Sequence, residues 1–303
     1  MSSHKTQNFS PVENPLATLY DVVIEPIRLM SAESSQWDYE IQIALPPSYH
    51  SSDKNYPVLW VTDGSFLFQQ AVRTVNFDLK KHLPECIVVA VGDPPGVKLE
   101  EHQYRRAYDF GPFEQWDFTA GFGRSLLKEQ TEISGLPHGL WQGGGGAEFL
   151  SFLVDQLRPV LSRDYRMTDD HTLFGDSGGG VFCAYALFSR PGAFKRYICG
   201  SPCLYSGDHA LFRMEEHYAQ THDDLNAQIF FGAGEGEVLE GDLISALGVV
   251  SSMTRMAEIL CLRGYPSLDL YVNVFPCEEH ASVISSNLSR GLRTLWKNTT
   301  HPT

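Results

Sequence analysis

The sequence has neither a C-x-x-C pair nor an H-E-x-x-H, the spacings that most directly announce zinc. Positive charge is scarce: 23 Lys and Arg stand against 37 Asp and Glu, a formal net charge of -14. A nucleic acid or an anionic membrane surface is therefore repelled on average, and neither is expected as a partner. Met1 to Ser10 is polar and lacks the apolar core of a secretory signal, and no run approaches membrane-spanning length. No repeat, low-complexity segment or linker-like composition break interrupts the 303 residues. Together these absences predict a soluble, cytoplasmic chain folded as a single domain, 1–303, large enough for an extensive core. Cys86, Cys183, Cys199, Cys203, Cys261 and Cys277 fall mostly in apolar segments, so buried free thiols are expected. Cys199 and Cys203 are four apart and Cys277 is three before His280, too thin a basis for a metal site.

What is present is a strand–turn–helix pattern at His171 to Phe188 containing Gly175-Asp176-Ser177-Gly178-Gly179. This fits G-x-S-x-G, a nucleophile elbow, in which a serine sits on a strained turn above a sheet. A Cβ at either flanking glycine would collide where strand and helix backbones pass closely. The serine then lies at a helix N-terminus, where the Gly178 amide is an orphan donor aimed at a developing oxyanion. A plain glycine turn is the competing reading. An apolar segment before the motif and the helical run Val181, Ala184, Tyr185, Phe188 after it supply the context the motif requires.

Alternating apolar and polar residues at Thr18 to Arg28 and Trp37 to Leu45 predict two antiparallel edge strands. Val58-Leu59-Trp60-Val61 reads as a strand buried on both faces and Cys86 to Val91 as the most strand-like run in the chain, with a helix over Leu67 to His82 between them. An amphipathic helix is expected over Glu148 to Ser162. Strands follow at Tyr197 to Cys199, Gln228 to Phe231 and Leu268 to Phe275, and helices through Leu247 to Leu260 and Leu288 to Trp296. Strands alternating with helices imply an α/β chain with a mostly parallel sheet, helices on both faces and an antiparallel N-terminal edge. Asp93 to Gly146 shows little periodicity and many aromatics, which suggests a lid or pocket wall over 93–146 or an element hidden in the pattern. Tyr108, Trp116 and Trp141 are its candidate pocket aromatics, beside Asp63, Phe66, Arg106 and Asp176.

A serine hydroxyl needs a base, and the base an orienting acid, to attack at neutral pH. In an elbow architecture these follow in the order serine, acid, histidine on loops after later strands. His280, just past the last strand, is the candidate base among 11 histidines. Glu235, Glu237, Glu240 and Asp242 share the loop after Phe231; Glu237 is preferred as the acid and Glu235 is second. The oxyanion hole would pair the Gly178 amide with that of Ser65 or Gly64.

The ordered set Pro57 to Gly64, Arg105 to Phe110, Gly175 to Gly179, Ser201 to Leu204 and His280 to Val283 resembles the putative esterase family, the esterase D and enterochelin-esterase-like branch of the α/β-hydrolases. The resemblance runs from about Trp37 to Trp296. It implies an α/β-hydrolase fold and ester hydrolysis without cofactor or metal, with Ser177 as nucleophile, His280 as base and Glu237 as acid, the last within a Gly-Glu-x-Glu pattern. The chain departs from that family in Asp176, where a histidine is usual, and in Gly178, where a larger apolar residue is usual and whose absence would widen the acyl pocket. The expected activity is a serine carboxylesterase acting on a bulky small-molecule ester or lactone through an acyl-enzyme. An acyltransferase or cyclase with the same triad, or a non-catalytic binding protein on this fold, are the alternatives. Oligomeric state is not written in the sequence.

Overall fold

The computed structural model of the chain describes residues 22–33, 37–76, 83–114, 116, 142–240 and 243–297. Nine strands form one sheet: β1 (Val23–Ile24), β2 (Arg28–Ser31), β3 (Asp38–Leu45), β4 (Tyr56–Val61), β5 (Ile87–Gly92), β6 (Met167–Asp176), β7 (Arg196–Gly200), β8 (Ala227–Gly234) and β9 (Leu268–Phe275). Their order is β1-β3-β5-β4-β6-β7-β8-β9, with β2 also on β3. From β4 onward every pairing is parallel, and the antiparallel pairings are confined to β1, β2, β3 and β5. This is the α/β-hydrolase arrangement. The single edge strand expected at Thr18 to Arg28 is instead two short strands separated by Pro26, which has no N–H to give a ladder; residues 18–21 lie outside the described residues.

The central strands read as unbroken apolar runs because both faces are covered. In β4 and β5, Val58, Trp60, Ile87, Val89 and Val91 enter one core, while Leu59, Val61, Val88 and Ala90 enter the other. Helices Gly64–Asn76 and Val283–Leu295 cover the second core, through Leu67, Phe68, Ala71, Leu288 and Leu292. The first core lies under helix Leu99–Phe110, a helical run of three segments (Gly146–Ser151, Phe152–Leu157, Arg158–Asp164), and helices Gly178–Ser189, Ser206–Thr221 and Val249–Arg263. Cys86, Cys183, Cys199 and Cys203 are buried free thiols, whereas Cys261 and Cys277 are exposed. Among the described residues no helix is long and apolar enough to cross a membrane.

The stretch 93–146 is not structureless where it is described. Leu99–Phe110 is a helix, and a helical run begins again at Gly146. Residues 115 and 117–141, including the candidate Trp141, lie outside the described residues, as do 77–82 of the helix expected to reach His82.

Candidate active site

The elbow owes its shape to backbone contact. Ser177 sits at φ 57°, ψ −117°, between β6 and helix Gly178–Ser189, and its amide donates to Gly200 O at 2.8 Å. A Cβ on Gly175 would collide with the carbonyl of Gly179, and one on Gly179 would lie 2.6 Å from Thr62 Oγ1. β6 therefore crosses its helix at a separation that admits no side chain at Gly175, and Thr62, just past β4, leaves no room for one at Gly179. Gly178 opens the helix, so its amide has no intrahelical partner.

Gly178 does not widen the cleft as the sequence suggests. The space its missing Cβ leaves is taken by Arg106, whose Nη1 would lie 3.0 Å from that Cβ, and by the edge of Trp116 at 3.5 Å. Arg106 Nε donates to Asp63 Oδ1 at 2.8 Å and Nη2 to the Asp176 carbonyl at 3.0 Å, so the guanidinium is clamped over the elbow. Trp116 is held there by Nε1 donating to Ala107 O at 2.8 Å.

Glu237 and His280 are brought together by the loops after β8 and β9. His280 Nδ1 lies 2.5 Å from Glu237 Oε1. The second carboxylate oxygen accepts the Gly234 amide at 2.6 Å and Ser201 Oγ at 3.0 Å. Glu237 is buried and its side chain fully enclosed, while His280 keeps 28% of its side chain exposed. Glu235 takes another path, accepting the Cys277 amide at 3.0 Å. Burial alone would lower the His280 pKa; the Glu237 hydrogen bond and the charge of Asp176 outweigh it and raise it above the usual 6.5. With Nδ1 engaged by the carboxylate, Nε2 is the nitrogen left to face a reactant. Ser177 and His280 are not hydrogen-bonded to one another; such bonds commonly tighten only with substrate.

An open cleft runs over Ser177. Of the expected pocket residues, Asp63, Phe66, Arg106 and Asp176 line it. Tyr108 does not: it packs edge-on to Trp37 and its hydroxyl lies 3.4 Å from Glu148 Oε2. Gly64 and Ser65 begin the helix after β4, so their amides also lack intrahelical partners. Ser65 Oγ accepts the Asp93 amide at 3.2 Å, tying this loop to the end of β5. The sequence reading missed Leu99, His102, Gln103 and Ile284 on the cleft wall. The first three share one face of helix Leu99–Phe110 with Arg106, at i, i+3, i+4 and i+7, and their mixed character gives that face no apolar periodicity to betray it in the sequence.

The family described as "Putative esterase" matches residues 32–117 and 137–273. The ferri-bacillibactin esterase BesA of Bacillus subtilis is 28% identical over 276 residues, covering 88% of each chain. The siderophore triacetylfusarinine C esterase of Aspergillus fumigatus is 26% identical over 287 residues, covering 86% of this chain and 89% of the relative. Among solved structures, the siderophore hydrolase EstA of Aspergillus nidulans superposes with a TM-score of 0.78 at 21% identity, over 98% of this chain and all of that one.

Proposed function

This chain belongs to the putative esterase family and is a carboxylic ester hydrolase; from that premise we propose that it cleaves the ester bonds of an iron-chelating siderophore, with Ser177 as nucleophile. The observation that carries the reading is the juxtaposition of a strained serine with a half-buried His280 held by the buried Glu237 at the same end of the sheet. Ser177 Oγ attacks the ester carbonyl and its proton passes to His280 Nε2. The Glu237 carboxylate fixes the ring through Nδ1 and stabilises the imidazolium. The Gly178 amide, with that of Gly64 or Ser65, receives the oxyanion. Collapse of the tetrahedral adduct expels the alcohol, which takes the proton from His280 and leaves an acyl-serine. Water, deprotonated by the same imidazole, then releases the acid.

The siderophore assignment draws on the relatives named above and on the form of the cleft. An open cleft with exposed Phe66 and Leu99 at its rim suits a large ligand presenting apolar or aromatic surface. The test is turnover of a ferric siderophore triester and of an activated aryl ester by wild type and Ser177→Ala, together with intact-mass labelling by a fluorophosphonate. The expected result is one adduct on Ser177 and a loss of turnover on the order of 10³-fold or more in the variant. Activity within tenfold of wild type would overturn the nucleophile. Turnover of the aryl ester without the siderophore would overturn the substrate.

A further inference from the structure

We infer that Asp176 is a positioning residue for His280, a second carboxylate that holds the imidazolium through a buried hydrogen-bonded strut running from Asp176 to Asn287, Ser201 and Glu237. The inference rests on the reading of His280 as the base and adds a residue to it. Asp176 is the residue before the nucleophile, only 4% exposed, and its side chain turns toward helix Val283–Leu295. There Asn287 Nδ2 donates to Asp176 Oδ1 at 3.0 Å and approaches Ser201 Oγ at 3.4 Å. Ser201 Oγ in turn donates to Glu237 Oε2 at 3.0 Å, and Glu237 holds His280. Asn287, Ser201 and Glu237 are buried as deeply as Asp176.

Two strands make room for this strut. A Cβ on Gly200 would run into Asp176 Oδ1, and one on Gly232 into Asn287 Oδ1. A buried carboxylate with one side-chain donor is costly to keep, and packing alone would be better served by an apolar residue. What repays the cost is charge facing the imidazole. Asp176 and Glu237 both favour the protonated ring, while Arg106, clamped on the other side of the elbow, opposes it. On Asp176 itself, burial pushes the carboxyl up to about 6; the charges of His280 and Arg106 and the Asn287 hydrogen bond hold it down, and the charge of Glu237 pushes it up. Above that pH Asp176 is ionised and supports the imidazolium; below it the support fades.

The sign follows directly. A base with a raised pKa loses activity as pH falls through a value above 6.5, because the ring must be neutral to accept the serine proton. Asp176→Asn keeps the volume and an acceptor for Asn287 but removes the charge. The acid limb of kcat/KM should then move to lower pH by about one unit.

The decisive measurement is the titration of the His280 ring by NMR in protein labelled at histidine, in a Ser177→Ala background with and without Asp176→Asn. It reads coupling between the two side chains without turnover, so its failure is separable from failure of the nucleophile assignment. The expected result is a His280 pKa lowered by about one unit in the Asp176→Asn protein. If that variant does not fold, Asn287→Ala removes the side-chain donor that favours the ionised form of Asp176, and the His280 pKa should fall in the same direction. A His280 titration unchanged in a folded variant of either kind would overturn the proposal.

Discussion

The loop after β6 and the loop after β9 both present a candidate catalytic side chain at the same end of the sheet, yet they are built in different proportions of backbone packing and polar contact. The first is held by backbone against backbone: Gly175 under Gly179, Gly179 beside Thr62, Ser177 forced to positive φ. The second has one close backbone approach, Gly234 under the Glu278 carbonyl, and otherwise rests on polar contacts near the surface. Glu278 accepts Ser286 Oγ at 2.8 Å and also Ser282 Oγ, and its carbonyl accepts the Gly236 amide at 2.9 Å. Ser177 is thus placed mainly by close backbone packing, and His280 by one such approach together with polar contacts that water can partly replace. Such a division puts strain where geometry must be exact and tunable charge where a pKa must be set.

The difference can be broken at its strongest point first. Gly175→Ala drives a methyl into the Gly179 carbonyl, and neither backbone can retreat without opening the sheet. About 3 kcal/mol of stability should be lost, a melting point lower by roughly 6–12 °C, with activity abolished in whatever folds. Calorimetry beside an esterase assay checks both. A variant of wild-type stability would mean that the elbow has slack after all.

At the boundary between the two regions, Glu237→Gln leaves the shape but removes the charge and presents an amide to His280 Nδ1. Turnover should fall on the order of 10³–10⁴-fold, the scale on which a triad acid acts, while the fold is retained by circular dichroism. Loss of tenfold or less would assign the orienting role elsewhere in the strut. The smallest effect belongs to the surface loop. Glu278→Gln keeps an acceptor for Ser286 and should change kcat/KM about twofold at most. A hundredfold loss there would erase the contrast, since the base would then depend on its loop as rigidly as the serine depends on its elbow.

Much of this was legible in the sequence. The parallel strands announced themselves as apolar runs, and the elbow as a motif with its strand and helix attached. The order of loops pointed to His280 and to an acidic loop with Glu237 preferred over Glu235, and it is Glu237 that the structure brings to His280. What stayed hidden had one physical cause: elements whose buried faces are polar. Helix Leu99–Phe110 buries His102, Arg105 and Asp109, so the apolar periodicity that marks an amphipathic helix is missing, and ion pairs such as Arg105 with Asp93 stand in for it. Asn287 was passed over for the same reason, as a polar residue beside Leu288 in a helix whose apolar stripe explained everything else. Gly178 misled in the other direction, since a missing side chain says nothing of the arginine that fills its place.

Among the described residues β9 is the outermost strand of the parallel sheet, paired on one side to β8, with Val272 41% and Val274 42% exposed. The His280 imidazole follows that strand, while Ser177 follows β6, three strands further in. With His280 as the base, fraying of this one margin would disarm the site while the interior stays folded, so activity is expected to fall at a lower temperature than the melting transition, which an esterase assay run beside calorimetry checks.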